Sequence, residues 1–590
     1  MKFIYQYIKP FIGIMIVGLL IKTIGTLIEL ALPYILSYIL DDLVPNDGRL
    51  SMIILWGGIM ILCALLALLC NVKANRMASK VARDCTRKIR HDLFYQTITL
   101  SGKQLDYFTI PSLEARITTD TYNVQNFIGR IQRLGVRAPL LLMGGLVVTL
   151  IMDAYLSLVM IAILPIIFIV VLFISLKGVK LYASVQDSVD GMVRVVREDT
   201  QGIRVIKALS KVEKEQQRYD KVNKKLINAE KKASLAMGFV NPIMSLLMNL
   251  GITFVVLIGA YRVMNRQTEP GKIVAFTQYF TMISTATLSI TRIFMMYTKS
   301  SASASRIAEV MNTVKDLEIA SLDIYPLVEN DDYIVFDNVS FSYNQTKDNL
   351  KNISFRLSKG QTLGIIGATG SGKTTLVHLL MRFYDVNKGA IRIGGKDIRT
   401  IPEKDLHTLF GIVMQNDFLF SDTILENIRF GRGISQDDIE KAIQISQAYD
   451  FIMSFPEGLN HVLSQKATNI SGGQKQRLLI ARALANHPEI LILDDSSSAL
   501  DYKTDANLRK AILQNLKDTT SIIVTQRVSS VMNADLIIVL EEGEIIGMGN
   551  HQDLLNTCEV YKEISESQIG GSFIAVSYTH LRAHETEADL

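Results

Sequence analysis

Residues Thr362–Thr375, TLGIIGATGSGKTT, decide how the rest of the chain is read. An apolar run of strand character enters Gly367–Thr374, which spells GxxxxGK[ST], and a helical stretch, TLVHLLMRF, follows. The glycines let the backbone turn tightly and aim several N–H groups at phosphate oxygens. The helix that follows offers its positive N-terminal end to the same anion. Gly367, Thr369, Gly370, Ser371, Gly372, Lys373, Thr374 and Thr375 are therefore candidate nucleotide-binding residues. In such a loop the lysine pairs with the outer phosphates, and the Thr374 hydroxyl ligates Mg²⁺. A second acidic strand end is needed to hold the metal, and Ile490–Asp495, ILILDD, supplies it with Asp494.

Around this motif the runs IVFDNVSFSY, NISFRL, TLGIIG, LILD, SIIVT and LIIVL alternate with helical stretches from Tyr333 onward. That alternation predicts an α/β domain with a mostly parallel sheet over 333–569. Upstream, residues 1–312 have a different character. The 590-residue chain is 49% hydrophobic and 20% charged, with a mean hydropathy of +0.25. Six stretches, roughly 11–40, 52–72, 137–152, 155–176, 238–261 and 273–298, are apolar enough to span a bilayer. Residues 1–10 read as an amphipathic lead-in at the interface. The first span is too long for a cleaved signal peptide. Residues 313–332 read as a linker and 570–590 as a disordered or non-native tail.

Charge placement predicts orientation. Residues 73–135 carry 11 Lys+Arg and residues 177–235 carry 14, whereas the alternate loops carry only Arg49, Arg262, Arg266 and Lys272. By the positive-inside rule the two long segments, both termini and the α/β domain are cytoplasmic. The net charge of +5 is too balanced to point to nucleic acid. Cys63, Cys70, Cys85 and Cys558 form no CxxC pair and read as small buried hydrophobes. Within the spans, Lys22 and Glu29 share a helical face. They either line a cavity or neutralise other spans, with the second reading slightly preferred, and Arg292 is a further candidate.

Residues 471–477, SGGQKQR, preceded by Asn469-Ile470 and followed by LLIARAL, resemble the ABC signature. With six preceding spans, the chain to about residue 570 resembles an ABC exporter half-transporter. The resemblance implies a six-helix membrane domain fused to a P-loop ATPase that binds ATP and Mg²⁺. It also implies a second half-transporter, with each nucleotide held between one half's P-loop and the other's signature, here Ser471, Gly472, Gly473 and Gln474. It assigns Tyr343 to adenine stacking, Gln415 to the Q-loop and Mg²⁺, and Ser498–Asp501, with Asp501, to the D-loop. GIRVIKAL (202–209) is similar to the second coupling helix, and the segment around Thr118–Val124, more loosely, to the first.

Two catalytic positions depart from that family's pattern. Glu usually follows the metal-binding Asp, and here Asp495 stands there. A switch His usually follows the next strand, and here it is Gln526. A carboxylate one methylene shorter is set back from the attacking water, and a misplacement of about 1 Å costs about a hundredfold in rate. Glutamine can hydrogen-bond a γ-phosphate but carries no proton or charge near neutral pH. The segment SQKA (464–467) also replaces the acidic Glu-x-Gly that exporters often carry. Together these resemble the degenerate-site subunit of heterodimeric bacterial multidrug exporters. The expected function is efflux of hydrophobic or amphipathic small molecules by alternating access in the plasma membrane. The alternatives are a homodimeric lipid or peptide exporter, or an ATP-gated channel or sensor.

Overall fold

A computed structural model describes residues 2–46, 50–328, 332–344, 347–496 and 499–570. The chain forms two compact units, one of residues 1–99 and 109–313, the other of residues 100–108 and 314–590. Ser498 and residues 571–590 of the tail lie outside the described residues.

The first unit is helical. Among the described residues five stretches are long and apolar enough to cross a membrane: Phe3–Leu43, Leu50–Ile98, Ile110–Met152, Val212–Met264 and Pro270–Met311. The remaining expected span, the fourth, begins at Ala154, and its apolar part, Ala154–Val170, opens the 48-residue helix Ala154–Gln201. The third span starts well before residue 137, because helices Thr121–Leu134 and Arg137–Met152 follow one another across Gly135-Val136. Between the third and fourth spans the chain reverses at Asp153, whose backbone is extended. Its carboxylate accepts from the N–H groups of Tyr155 (3.0 Å) and Leu156 (3.2 Å), capping the helix that follows. The same carboxylate pairs with Arg262 at 3.0 Å.

The charged residues of the first span are already partnered. Lys22 is buried and donates to Asn71 (2.7 Å) and Asn75 (3.3 Å), and Glu29 forms a two-pronged pair with Arg137 (2.6 and 3.2 Å). Glu29 is neutralised by Arg137 of a neighbouring helix, whereas Lys22 is held by two neutral amide oxygens, the hydrogen-bond partners a buried ammonium needs. Arg292 is exposed on its helix. Cys85 and Cys558 are buried, but Cys63 and Cys70 are only half-buried, so burial explains two of the four cysteines.

The second unit holds two sheets. Strands β1 (Ile334–Phe341), β2 (Leu350–Leu357), β4 (Lys388–Ile393) and β5 (Lys396–Asp397) form an antiparallel sheet in the order β2-β1-β4-β5. Strands β3 (Thr362–Gly367), β6 (Phe410–Val413), β7 (Ile490–Asp494), β8 (Thr520–Thr525), β9 (Leu536–Glu541) and β10 (Glu544–Gly549) form the other, ordered β10-β9-β3-β8-β7-β6. All neighbours in it are parallel except β10 with β9. The mostly parallel sheet is thus as read, but the first two strand runs belong to the separate antiparallel layer. The burial patterns explain the split. β7 is buried at every position, as a strand covered on both faces must be, whereas β2 alternates.

The stretch expected to be a linker is stitched to this unit. Ala320 N–H donates to Arg399 C=O (2.8 Å), Arg382 donates to Glu318 C=O (2.6 Å), and the Arg399 guanidinium lies over the Tyr325 ring at 3.9 Å.

Candidate functional site

The site is built at the carboxyl ends of three adjacent parallel strands, where open α/β sheets bind ligands. β8 lies between β3 and β7, with Ile366 opposite Thr525 and Asp494 opposite Val524. That register brings the phosphate loop after β3, the acidic pair at the end of β7 and Gln526 after β8 to one level. They line a cleft of about 250 Å³ with Asn349, Thr369, Gly370, Gly372, Lys373, Thr374, Thr375, Gln415, Asp494, Asp495 and Gln526.

The phosphate loop needs glycine at Gly367, where a Cβ would collide with Leu540 C=O, and at two further points. Gly372 has φ +103, and a Cβ there would meet Leu350 Cδ2 at 2.7 Å and Asn349 O at 3.0 Å. Gly370 has φ +84 and no atom within 4 Å of where a Cβ would stand, so its backbone borders open space. Lys373 donates to Gly367 C=O (2.8 Å) and Ala368 C=O (2.6 Å). Burial lowers its pKa, while Asp494 and Asp495 pull the other way. Ser371 is buried, and its hydroxyl has no hydrogen-bond partner. A buried hydroxyl, free glycine backbone and a half-buried lysine form a cradle suited to phosphate.

Thr374 donates to Asp494 Oδ2 at 3.0 Å. Asp494 is buried, and burial raises its pKa against the Thr374 hydrogen bond and Lys373. A hydroxyl and a carboxylate in contact, with Gln415 at the rim, form an all-oxygen donor set that fits a hard divalent cation such as Mg²⁺.

Asp495 occupies the left-handed region at φ +49, and its N–H donates to Val524 C=O at 2.9 Å. Aspartate tolerates that backbone better than longer side chains. Burial raises the Asp495 pKa, and Arg527 and Lys373 lower it. Gln526 reaches the phosphate loop, donating from Nε2 to Thr369 Oγ1 at 3.3 Å.

Tyr343 is half-buried and held upright. Its ring packs edge-on against Phe341 and Tyr384 at 4.8 and 5.0 Å, and its hydroxyl donates to Thr375 Oγ1 at 3.4 Å. The signature residues are not in this cleft. Ser471 caps the helix Gly472–Leu484 and shares a capping box with Gln474. Ser471 and Gly472 are exposed, with Gly473 and Gln474 half-buried. Asp501 caps Tyr502–Asn515 by accepting from Thr504 N–H at 3.0 Å, and it too lies outside the cleft.

Sequence reading missed two contributors. Asn349 lines the cleft, and its Oδ1 accepts from Tyr343 N–H at 3.1 Å. The helix Gly102–Phe108 belongs to the ATPase unit, with Tyr384 donating to Asp106 at 2.7 Å. A Cβ at Gly102 would stand 2.9 Å from the Tyr384 ring. The segment from the helical region that joins the ATPase unit is therefore 100–108. The stretch around Thr118–Val124, which loosely resembles the first coupling helix, lies in the helical unit. The segment 202–209 forms the short helix Ile203–Ala208, which has no buried residue.

Residues 15–287 match the family described as ABC transporter transmembrane region, and residues 350–498 match the family described as ABC transporter. The chain is 35% identical over 567 residues to an uncharacterized ABC transporter ATP-binding protein, YfiB, of Bacillus subtilis, covering 96% of this chain and 98% of that one.

This chain belongs to the ABC transporter family.

A second ABC transporter ATP-binding protein, Rv1273c of Mycobacterium tuberculosis, is 31% identical over 568 residues, covering 95% and 97% of the two chains. The fold is that of a solved structure described as a bacterial Atm1-family ABC exporter with ATP bound. The TM-score is 0.79, with 24% identity, covering 94% of this chain and 99% of that one. As an ABC transporter, the chain joins a multi-pass membrane domain to a nucleotide-binding ATPase domain, and ATP hydrolysis is coupled to transport.

Proposed function

We propose that this ABC transporter chain is one half of a heterodimeric exporter for hydrophobic or amphipathic small molecules. In this reading its own ATP site binds nucleotide and hydrolyses it poorly. The observation that carries the reading is the content of the cleft. The phosphate-loop residues Thr369, Gly370 and Gly372–Thr375 share the cleft with Gln415 and Asp494, which supports binding, while Asp495 and Gln526 stand in it where the family pattern has Glu and His; Tyr343 lies outside that lining.

Lys373 and the backbone of Gly370–Lys373 hold the β- and γ-phosphates, and Tyr343 stacks on adenine. Thr374, Asp494 and Gln415 are the residues that would hold Mg²⁺, which would neutralise charge on the transferring phosphoryl group. Asp495 orients the attacking water from too far back. Gln526 offers the γ-phosphate a hydrogen bond without a charge. The Ser471–Gln474 helix start, exposed at Ser471 and Gly472, and Asp501 serve the partner half's nucleotide instead, because none of them lines this chain's own phosphate cleft.

The excess of basic residues in 73–135 and 177–235 supports a plasma-membrane orientation with both termini and the ATPase domain cytoplasmic. Nucleotide closure would bias a two-state equilibrium between inward- and outward-open forms. It would act through the segments 100–108 and 202–209. A homodimer is the second reading. It draws support from the carboxylate retained at Asp495, whose raised pKa makes it a stronger base than an ordinary aspartate.

The test is asymmetry. In the two-chain transporter, Asp495→Asn is expected to lower ATP turnover by less than about twofold, and the equivalent change in the partner is expected to abolish it. Equal losses from the two changes would overturn the heterodimer reading. ATP-dependent dye uptake into inside-out vesicles separates an exporter from a sensor, which would hydrolyse ATP without flux.

A further inference from the structure

We infer that Gln568, at the far C-terminal end of the ATPase domain, is a positioning residue for the Gln526 switch. Its side-chain amide brackets the switch backbone. Nε2 donates to Gln526 C=O at 2.7 Å, and Oε1 accepts from Val528 N–H at 2.8 Å. The two bonds fix the peptides on either side of Arg527, which is extended at φ −98, ψ 117. A side-chain amide with both bonds made substitutes for a neighbouring strand, holding one backbone register.

The bracket is mounted on a packed base. Gln568 lies in the helical turn Glu566–Gly570, which continues the helix Glu559–Ser565. In that helix Tyr561 is fully buried and shares a cluster with Leu554, Cys558, Val528, Val531 and Val539. Tyr561 is further tied to His551 through a hydrogen bond of 2.8 Å. Val528 thus touches the C-terminal layer twice, through its side chain and through its N–H. On the other side of the bracket, Gln526 reaches Thr369 Oγ1 of the phosphate loop. The line from C-terminal helix to Gln568, to the switch backbone, to Gln526 and to the phosphate loop is continuous.

Gln568 does not line the phosphate cleft, so its effect is exerted through Gln526. The inference rests on the reading that Gln526 meets the γ-phosphate. Releasing the bracket frees the backbone from which Gln526 extends. The loss should fall on ligands with a γ-phosphate and spare those without one. Gln568 is itself exposed, so its replacement removes two hydrogen bonds without opening the core.

The experiment uses the full chain in lipid nanodiscs with Mg²⁺, comparing affinities for AMP-PNP and ADP. Gln526→Ala is expected to weaken AMP-PNP binding about threefold to tenfold while leaving ADP within twofold. A single hydrogen bond of about 1 kcal/mol sets that scale. Gln568→Ala is expected to shift the AMP-PNP to ADP ratio in the same direction, and the double variant no further than Gln526→Ala. Hydrogen exchange over 526–529 should quicken at least tenfold in Gln568→Ala. It should quicken less in Gln568→Glu, which keeps the acceptor for Val528 N–H. A shift with Gln526→Ala but none with Gln568→Ala overturns the bracket and leaves the switch reading standing. An unchanged ratio in Gln526→Ala overturns the γ-phosphate role on which the inference rests. Equal weakening of AMP-PNP and ADP by Gln568→Ala would mark a merely structural residue and also overturn it.

Discussion

Exchanging Asp495 for Glu and Gln526 for His should convert this chain's site into one that hydrolyses. The structure sets the scale. The Asp495 N–H is tied to Val524 C=O at 2.9 Å, so the strand end does not retreat when the side chain lengthens. The added methylene carries the carboxylate about 1 Å further into the cleft, and a correction of that size is worth about a hundredfold in rate. A hundredfold corresponds to about 2.7 kcal/mol of barrier. Glutamate in the left-handed backbone at φ +49 costs about 1 kcal/mol. That penalty falls on folding and leaves the chemical step alone. Burial raises the pKa at this position against Arg527 and Lys373, and a carboxylate of raised pKa is the stronger base. The assay is phosphate release at saturating ATP in a two-chain transporter whose partner site has lost its own catalytic carboxylate. The silent background lets turnover at this site be read directly. Asp495→Glu alone should give part of the gain. No rise in the double variant, with nucleotide affinity intact, would refute the idea that these two side chains limit hydrolysis.

Tyr343→Ala should weaken ATP binding by about 1–3 kcal/mol, the usual value of a base stacked on an aromatic ring, read with a fluorescent nucleotide. Tyr343→Phe should stay within twofold, because the hydroxyl bond to Thr375 is long at 3.4 Å. Glu29→Gln leaves Arg137 without its partner carboxylate and should lower detergent-solubilised stability by about 1–3 kcal/mol. The Glu29→Gln, Arg137→Gln pair should recover most of the loss in a thermal melt, and a further drop would contradict a neutralising role. Burial raises the Asp494 pKa, so its charged form is lost at a higher pH than for an ordinary aspartate. As pH falls through that raised pKa, the carboxylate takes up a proton and the Mg²⁺ concentration needed for ATP binding should rise. An Mg²⁺ requirement flat with pH until the ordinary carboxylate range would contradict it.

The nucleotide cleft was legible because local spacing encodes it. Gly367–Thr374 and Ile490–Asp495 carry their geometry in short motifs, and both sit where the parallel strands end. The apolar spans were legible for a similar reason, since length and composition are read directly from sequence. What escaped depends on contacts distant in sequence. Nothing in GKQLDYF indicates that 100–108 leaves the helical unit for Tyr384, 276 or more positions later, and only the fold makes that juxtaposition. Likewise the antiparallel layer of β1, β2, β4 and β5 looks like more of the same strand alternation until the pairing is known. The attachment of the linker is not legible in sequence, because its bonds run through its backbone groups to Arg399 and from Arg382, and such bonds leave no pattern. Sequence leaves Lys22 open between cavity and structure, because the residues that hold it, Asn71 and Asn75, lie 49 and 53 positions away.

One comparison bears most directly on an ATP site that binds but scarcely turns over: phosphate release from this chain purified alone, beside the same chain purified with its partner half. We expect ATP binding by the single chain with turnover about a hundredfold below that of the pair. Robust hydrolysis by the chain alone, comparable to the pair, would contradict it.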